Sequence, residues 1–120
     1  MTSAPNSSVA VVDDNARTLV AIDNLLSSAG HSVFLFQSGI ELLNNEIFMK
    51  VSCVVTDIGM PDIDGFELYR RIRVLREGLP VIFMTGRHLA EDERRYAMSD
   101  GSGFFRKPFD ASAFLAAVAD

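Results

Sequence analysis

The stretch Cys53-Val54-Val55-Thr56-Asp57-Ile58-Gly59-Met60-Pro61-Asp62-Ile63-Asp64-Gly65 decides the fold. Cys53 to Thr56 is short, β-branched and continuously apolar rather than alternating, as a strand covered on both faces must be. An acid, Asp57, ends it. Gly, Pro and Asp punctuation follows, and from Asp64 to Glu77 the spacing predicts a helix. Leu68, Tyr69, Ile72 and Leu75 share one face of that helix. Arg70, Arg71, Arg73 and Arg76 lie mostly on the other, a solvated face. The unit is strand, loop, helix.

The same unit recurs on either side. Val9-Ala10-Val11-Val12, Ser32-Val33-Phe34-Leu35-Phe36, Val81-Ile82-Phe83-Met84 and Gly103-Phe104-Phe105 read as further strands. Asn15 to Ala29 repeats Leu19, Ile22, Leu25, Leu26 and Ala29 at helical spacing, with Gly30 as terminator. Ser38 to Glu46 opens on a Ser38-x-x-Glu41 capping box. Leu89 to Ser99 is polar and weakly amphipathic, the helix expected to be least stable, and Asp110 caps a last helix carrying Phe114, Leu115 and Val118. Five alternations predict an α/β fold: a doubly wound, five-stranded parallel sheet, (βα)5, with right-handed crossovers.

The chain has 120 residues, enough for one domain that buries its own core without disulfide or structural metal. Residues 1–7 read as a disordered lead-in and 8–120 as the domain. Lys+Arg 11 against Asp+Glu 16 gives a net charge of −5, so the domain has no overall basic field for nucleic acid or anionic lipid. The single Cys53 forms no internal disulfide and offers no zinc spacing, which fits a reducing, cytoplasmic setting; it reads as a buried strand thiol. No run approaches the ~18 apolar residues of a membrane span. His31 is expected at the surface and His88 in a solvated loop.

In open α/β sheets ligands bind beyond the carboxyl ends of the strands, where strand order reverses. Asp13 and Asp14 follow the first strand and Asp57 ends the third. With strand order 2-1-3-4-5 those two strands are neighbours. Three carboxylates drawn together repel one another unless a cation compensates, and a hard divalent ion, magnesium best, suits few carboxylates and leaves a place for a phosphate oxygen. Thr85 closes the fourth strand and Lys107 follows the fifth, supplying a hydroxyl and an ammonium. An anion attached to Asp57 needs such groups around its oxygens. Pro108 makes an X-Pro bond after Lys107; in the cis form it would aim the ammonium back toward the acids.

Val11-Val12-Asp13-Asp14, Thr56 to Gly65, Met84-Thr85-Gly86 and Lys107-Pro108-Phe109 together resemble the receiver domain of two-component response regulators, the CheY-like family, over Ser8 to Asp120. The resemblance implies that Asp57 accepts a phosphoryl group from the phosphohistidine of a sensor histidine kinase or a histidine phosphotransfer protein. It implies that Asp14, Asp57 and the Gly59 carbonyl hold magnesium, with Asp13 acting through a metal-bound water. Lys107 then pairs with the phosphoryl oxygens, Thr85 moves to bond one of them, the small Gly86 leaves room, and Phe104, where the family often carries Tyr, is the aromatic that changes rotamer. An output domain or downstream protein would read the fourth helix, fifth strand and fifth helix, and a phosphorylation-dependent homodimer is compatible with the family.

Two tuning positions bear on lifetime and one departure on output. Gly59 stands two residues beyond Asp57 and Arg87 two beyond Thr85, positions that tune phosphate lifetime in the family, and Ala97-x-x-x-Gly101-Ser102 replaces the usual Ala-x-x-x-Gly-Ala. Two other classes compete. A degenerate receiver would act as a constitutive interaction module, against which the intact acidic set argues. A turnover phosphatase with an aspartyl-phosphate intermediate needs a second acid two residues after its nucleophile, where this chain has Gly59.

Overall fold

The computed structural model describes residues 7–87, 89–99, 101–107 and 110–119. The expectations placed on His88 and Pro108, and on the lead-in before Ser7, lie outside the described residues. The elements alternate as β1 (Ser8–Val12), α1 (Ala16–Ser28), β2 (Ser32–Phe36), α2 (Gly39–Leu43), a 3-10 turn (Glu46–Met49), β3 (Cys53–Asp57), α3 (Gly65–Leu75), β4 (Val81–Thr85), α4 (Ala90–Ala97), β5 (Gly103–Arg106) and α5 (Ala111–Ala119). The sheet is parallel throughout, with order β2-β1-β3-β4-β5. This is the doubly wound arrangement that the alternation predicts.

Strand periodicity sorts the core into two layers. Val9, Val11, Cys53, Val55, Ile82 and Met84 face Leu19, Ile22 and Leu26 of α1 and Phe114 and Val118 of α5. Ala10, Val12, Val54, Val81 and Phe83 face Leu42, Phe48, Phe66, Leu68 and Ile72 on the α2 and α3 side. The three inner strands β1, β3 and β4 are buried on both faces, which is why they read as continuous apolar runs. Burial pushes the Cys53 thiol up to about 12, so it is an inert core group.

Helix ends follow the sequence signals. The Asn15 side chain accepts the Arg17 and Thr18 amides to start α1, and Gly30, at φ 96, ends it with His31 N–H donating to the Leu26 carbonyl and Gly30 N–H to that of Ser27. Ser38 accepts the Glu41 amide, while the Glu41 carboxylate reaches back to Gln37 N–H. Ser7 is already tied to the sheet: its carbonyl accepts from Ser32 N–H and its hydroxyl bonds His31, which is therefore half-buried rather than freely solvated.

Three expectations need correction. The helix from Ser38 stops at Leu43, because Asn45 caps a separate 3-10 turn. Helix α3 stops at Leu75 rather than Glu77, leaving Leu75 exposed, and Leu79 takes the buried place beyond the turn. The arginine face is only partly solvated. Arg70 and Arg71 pair with half-buried Glu67, holding it down at about 2, but Arg76 donates to the carbonyls of Phe48 and Val51 at 2.8 and 2.7 Å. Those carbonyls end the 3-10 turn and lead into β3, so Arg76 is a structural clamp.

Gly65 sets how closely α3 meets β3. A Cβ there would stand 2.5 Å from the Asp57 carbonyl oxygen and 3.0 Å from Ile58 Cα, both backbone atoms that cannot turn aside. Gly65→Ala is expected to cost about 2–3 kcal/mol and to shift the loop after Asp57, measured as a lower urea midpoint at unchanged slope.

Candidate functional site

The acids meet because of register. Val12 pairs with Thr56 across β1 and β3, so the next residues, Asp13 and Asp57, leave the sheet side by side. Both carry on the parity of Val9, Val11 and Val55, the α1 side of the sheet. Asp13 is 1 % exposed and Asp57 8 %, whereas Asp14 is open to solvent. Carboxylate oxygens of Asp13, Asp14 and Asp57 all lie within 4.8 Å of one another.

Lys107 crosses to them from the far side. It follows β5, which stands two strands, about 10 Å, from β3. Its backbone N–H donates to the Thr85 carbonyl at 2.7 Å, which anchors the stem beside β4. The ammonium then reaches Asp13 at 2.8 Å and Asp57 at 3.5 Å. Asp13 is held from its other oxygen by the Asn15 amide at 2.9 Å. Lys107 thus holds Asp13 more closely than Asp57, of which it meets one oxygen.

One ammonium does not neutralise this group. Burial, and then the charge of Asp13, push the Asp57 carboxyl up from 3.8 to about 6, against the opposing pull of Lys107. The donor set is all oxygen and anionic, half-buried and half-open, which is the chemistry that accepts a hard divalent cation with several of its waters retained. Asp13, Asp14 and Asp57 are the residues that fit it, with Gly59 lining the same cavity.

That cavity is about 250 Å³ and is lined by Asp13, Asp14, Asn15, Asp57, Gly59, Thr85, Gly86, Arg87 and Lys107. It therefore gathers the acids, Thr85, Gly86, Gly59 and Lys107 from four strand ends. Space beside Gly86 is open: a Cβ there meets nothing within 4 Å. Thr85 is 1 % exposed and its hydroxyl accepts the Arg87 amide at 3.1 Å. An anion on Asp57 would find an ammonium, a hydroxyl and a guanidinium around it.

Phe104 does not line the cavity. It is half-buried on the opposite face of the sheet, with its ring 5.3 Å from that of Tyr96 on α4, and Tyr96 in turn meets Phe83 at 6.0 Å. Tyr96 and Asp92 of α4 escape the sequence reading, because α4 is too polar to show an apolar stripe. Their i, i+4 spacing on an otherwise charged helix was the available signal. Asn15, identified as a helix start, also positions Asp13.

The comparisons agree with this geometry. The model of the family described as response regulator receiver domain matches residues 9–119. The response regulator protein TodT of Pseudomonas putida is 30% identical over 108 residues, covering 90% of this chain and 48% of TodT. The transcriptional regulatory protein FixJ of Bradyrhizobium diazoefficiens is 32% identical over 111 residues, covering 90% of this chain and 53% of FixJ. This chain thus spans about half the length of these relatives. Among solved structures, the BeF3-activated receiver domain of DrrB, from Thermotoga maritima, superposes with a TM-score of 0.85 at 30% identity, with 96% of each chain covered. By its strand order, its strand-end acids and this match over nearly its whole length, the chain belongs to the family of response regulator receiver domains.

Proposed function

We propose that the domain accepts a phosphoryl group from a phosphohistidine onto Asp57, with magnesium held by Asp13, Asp14, Asp57 and the Gly59 carbonyl, and that the modification changes its output face. The observation that carries this is that Asp57 belongs to a three-carboxylate cluster and meets the Lys107 ammonium in one open cavity. Magnesium, when bound, supplies positive charge against the carboxylates and the transferred group.

The chain's own groups perform the rest. An Asp57 carboxylate oxygen attacks phosphorus in line, the phosphorus–nitrogen bond of the donor breaks, and the imidazole leaves with that electron pair and takes up a proton. The Asp57 oxygen that already meets Lys107 keeps that contact, and the ammonium turns from Asp13 toward the new phosphoryl oxygens. Thr85 exchanges its bond with the Arg87 amide for one to phosphate. With Gly59 two residues beyond Asp57, no side-chain acid or base stands there to drive hydrolysis, so the domain modifies itself rather than turning over substrate. A sensor histidine kinase or histidine phosphotransfer protein is the donor in this reading, and an output domain or downstream protein the reader, at α4, β5 and α5.

Among the described residues no helix is long and apolar enough to cross a membrane, and a cytoplasmic location fits the lone, reduced Cys53. With its net charge of −5 the domain itself is not a nucleic-acid binder in this reading.

Incubation with acetyl phosphate and magnesium chloride is expected to add one phosphoryl group, seen by intact-protein mass spectrometry. Asp57→Asn and chelation of the metal should each abolish it, and Lys107→Ala should slow it by about 10²-fold. Stoichiometric phosphate on the Asn variant would defeat the assignment.

The raised Asp57 carboxyl also sets a pH dependence. Below its ordinary value the group is neutral folded and unfolded alike and contributes nothing. As pH rises from 3.8 through about 6, the unfolded chain ionises freely while the folded protein must ionise a buried carboxylate beside Asp13, and stability is lost. Asp57→Asn should therefore match the wild type near pH 4 and exceed it at pH 7.5 by about 1–2 kcal/mol, roughly 3–8 °C in Tm, in chelator. Millimolar magnesium should narrow the gap, by thermal melts at both pH values.

A further inference from the structure

Arg87 lies between the cavity and α4. Its Nε and Nη2 donate to the two carboxylate oxygens of Asp92 at 2.7 and 3.0 Å, a bidentate fork. The third nitrogen, Nη1, has no hydrogen-bond partner among the described residues and lies over Gly59, 3.3 Å from where a Cβ would stand. A side chain at position 59 would push it away. Arg87 therefore lines the cavity with one N–H edge while the other edge is spent on Asp92.

Asp92 is the buried member, its side chain 2 % exposed against 41 % for Arg87. It sits in the first turn of α4, whose N-cap, Leu89, makes no side-chain hydrogen bond. It is the one residue of α4 that is buried, so this helix is not seated by an apolar stripe. Its other holds are the Tyr96 ring between Phe83 and Phe104, the exposed pairs Arg95–Asp64 and Arg106–Glu93, and Arg95 over the Phe66 ring. At the N-terminal turn, Arg87 is the counter-charge that makes burial of the Asp92 carboxylate tolerable.

We infer that Arg87 is a second cationic ligand for the phosphoryl group on Asp57, and that Asp92 and that group compete for its guanidinium. In the unmodified protein Arg87 belongs chiefly to Asp92. A phosphoryl group brings nearly two negative charges and three acceptor oxygens into the cavity that Nη1 already faces. Drawing the fork inward leaves Asp92 buried without its partner, and the first turn of α4 opens to return that carboxylate to water. The exchange couples Asp57 to α4 through one side chain, independently of Phe104. It rests on the phosphoacceptor reading of Asp57.

The two ends of the pair separate a ligand from a structural tie. Asp92→Asn and Arg87→Ala both break the same ion pair, yet the first frees the guanidinium for the incoming group and the second removes it. Phosphorylation of the 120-residue chain by acetyl phosphate with magnesium is expected to be about fivefold faster than wild type in Asp92→Asn and about fivefold slower in Arg87→Ala. Hydrogen exchange of residues 90–95 should quicken on phosphorylation of the wild type, and should be fast already, with little further change, in both variants. Arg87→Gln provides the same test should the alanine variant lose its circular dichroism. Rate changes of the same sign in both variants, or an unaltered exchange response in phosphorylated Arg87→Ala, would overturn the inference while leaving Asp57 as acceptor. Failure of the wild type to take phosphate would overturn the acceptor reading and this inference with it.

Discussion

Two buried carboxylates, Asp13 and Asp57, leave neighbouring parallel strands side by side, and a single ammonium crosses β4 to hold both. Much of the rest of the domain answers to that repulsion. The Asn15 amide bonds Asp13, the Gly65 turn presses α3 against the Asp57 carbonyl, and β1, β3 and β4 are buried on both faces, so the acids have no freedom to splay apart. Burial first, and the charge of Asp13 second, hold the Asp57 carboxyl up to about 6. Folding energy from two apolar layers keeps charges together that would separate in water, and the site is thereby prepared for cations and for a group that arrives with them.

The two sheet faces divide the work. Asp13, Asp57 and Lys107 continue the parity of the α1 and α5 layer, in which Leu26 and Phe114 are fully buried. Thr85 continues the parity of Val81 and Phe83 toward the α3 and α4 side, where the contacts become aromatic and ionic. An apolar layer therefore backs the acids, while on the other side the cavity adjoins α4, a helix seated by ion pairs and one tyrosine. Such a helix is held by interactions that a nearby charge can outbid, unlike an apolar stripe, which is indifferent to charge.

Legibility in the sequence followed the physical range of each signal. The strands were readable because burial on both faces demands continuous apolar residues, and α1 because Asn15 and Gly30 mark its ends with local hydrogen bonds. The extent of α2 and of α3 was not, since Asn45 starts a new turn and Arg76 leaves the helix to bond carbonyls more than twenty residues away. Of the site, Asp13, Asp14, Asp57, Thr85 and Lys107 were legible as polar groups terminating apolar strands. Asp92 and Tyr96 were not, because a mostly charged helix carries no periodicity that marks which of its residues faces inward.

By itself, then, the sequence determined the alternation of strands and helices and the residue type at every strand end, because propensity, caps and burial patterns act within a few neighbours. Only the tertiary structure decided that Lys107 prefers Asp13 to Asp57, that Arg87 faces the cavity while holding a buried acid of α4, and that Phe104 stands on the other face. Those are facts of register and of distance between strands far apart in the chain, and electrostatic energy depends on that distance rather than on order along the backbone.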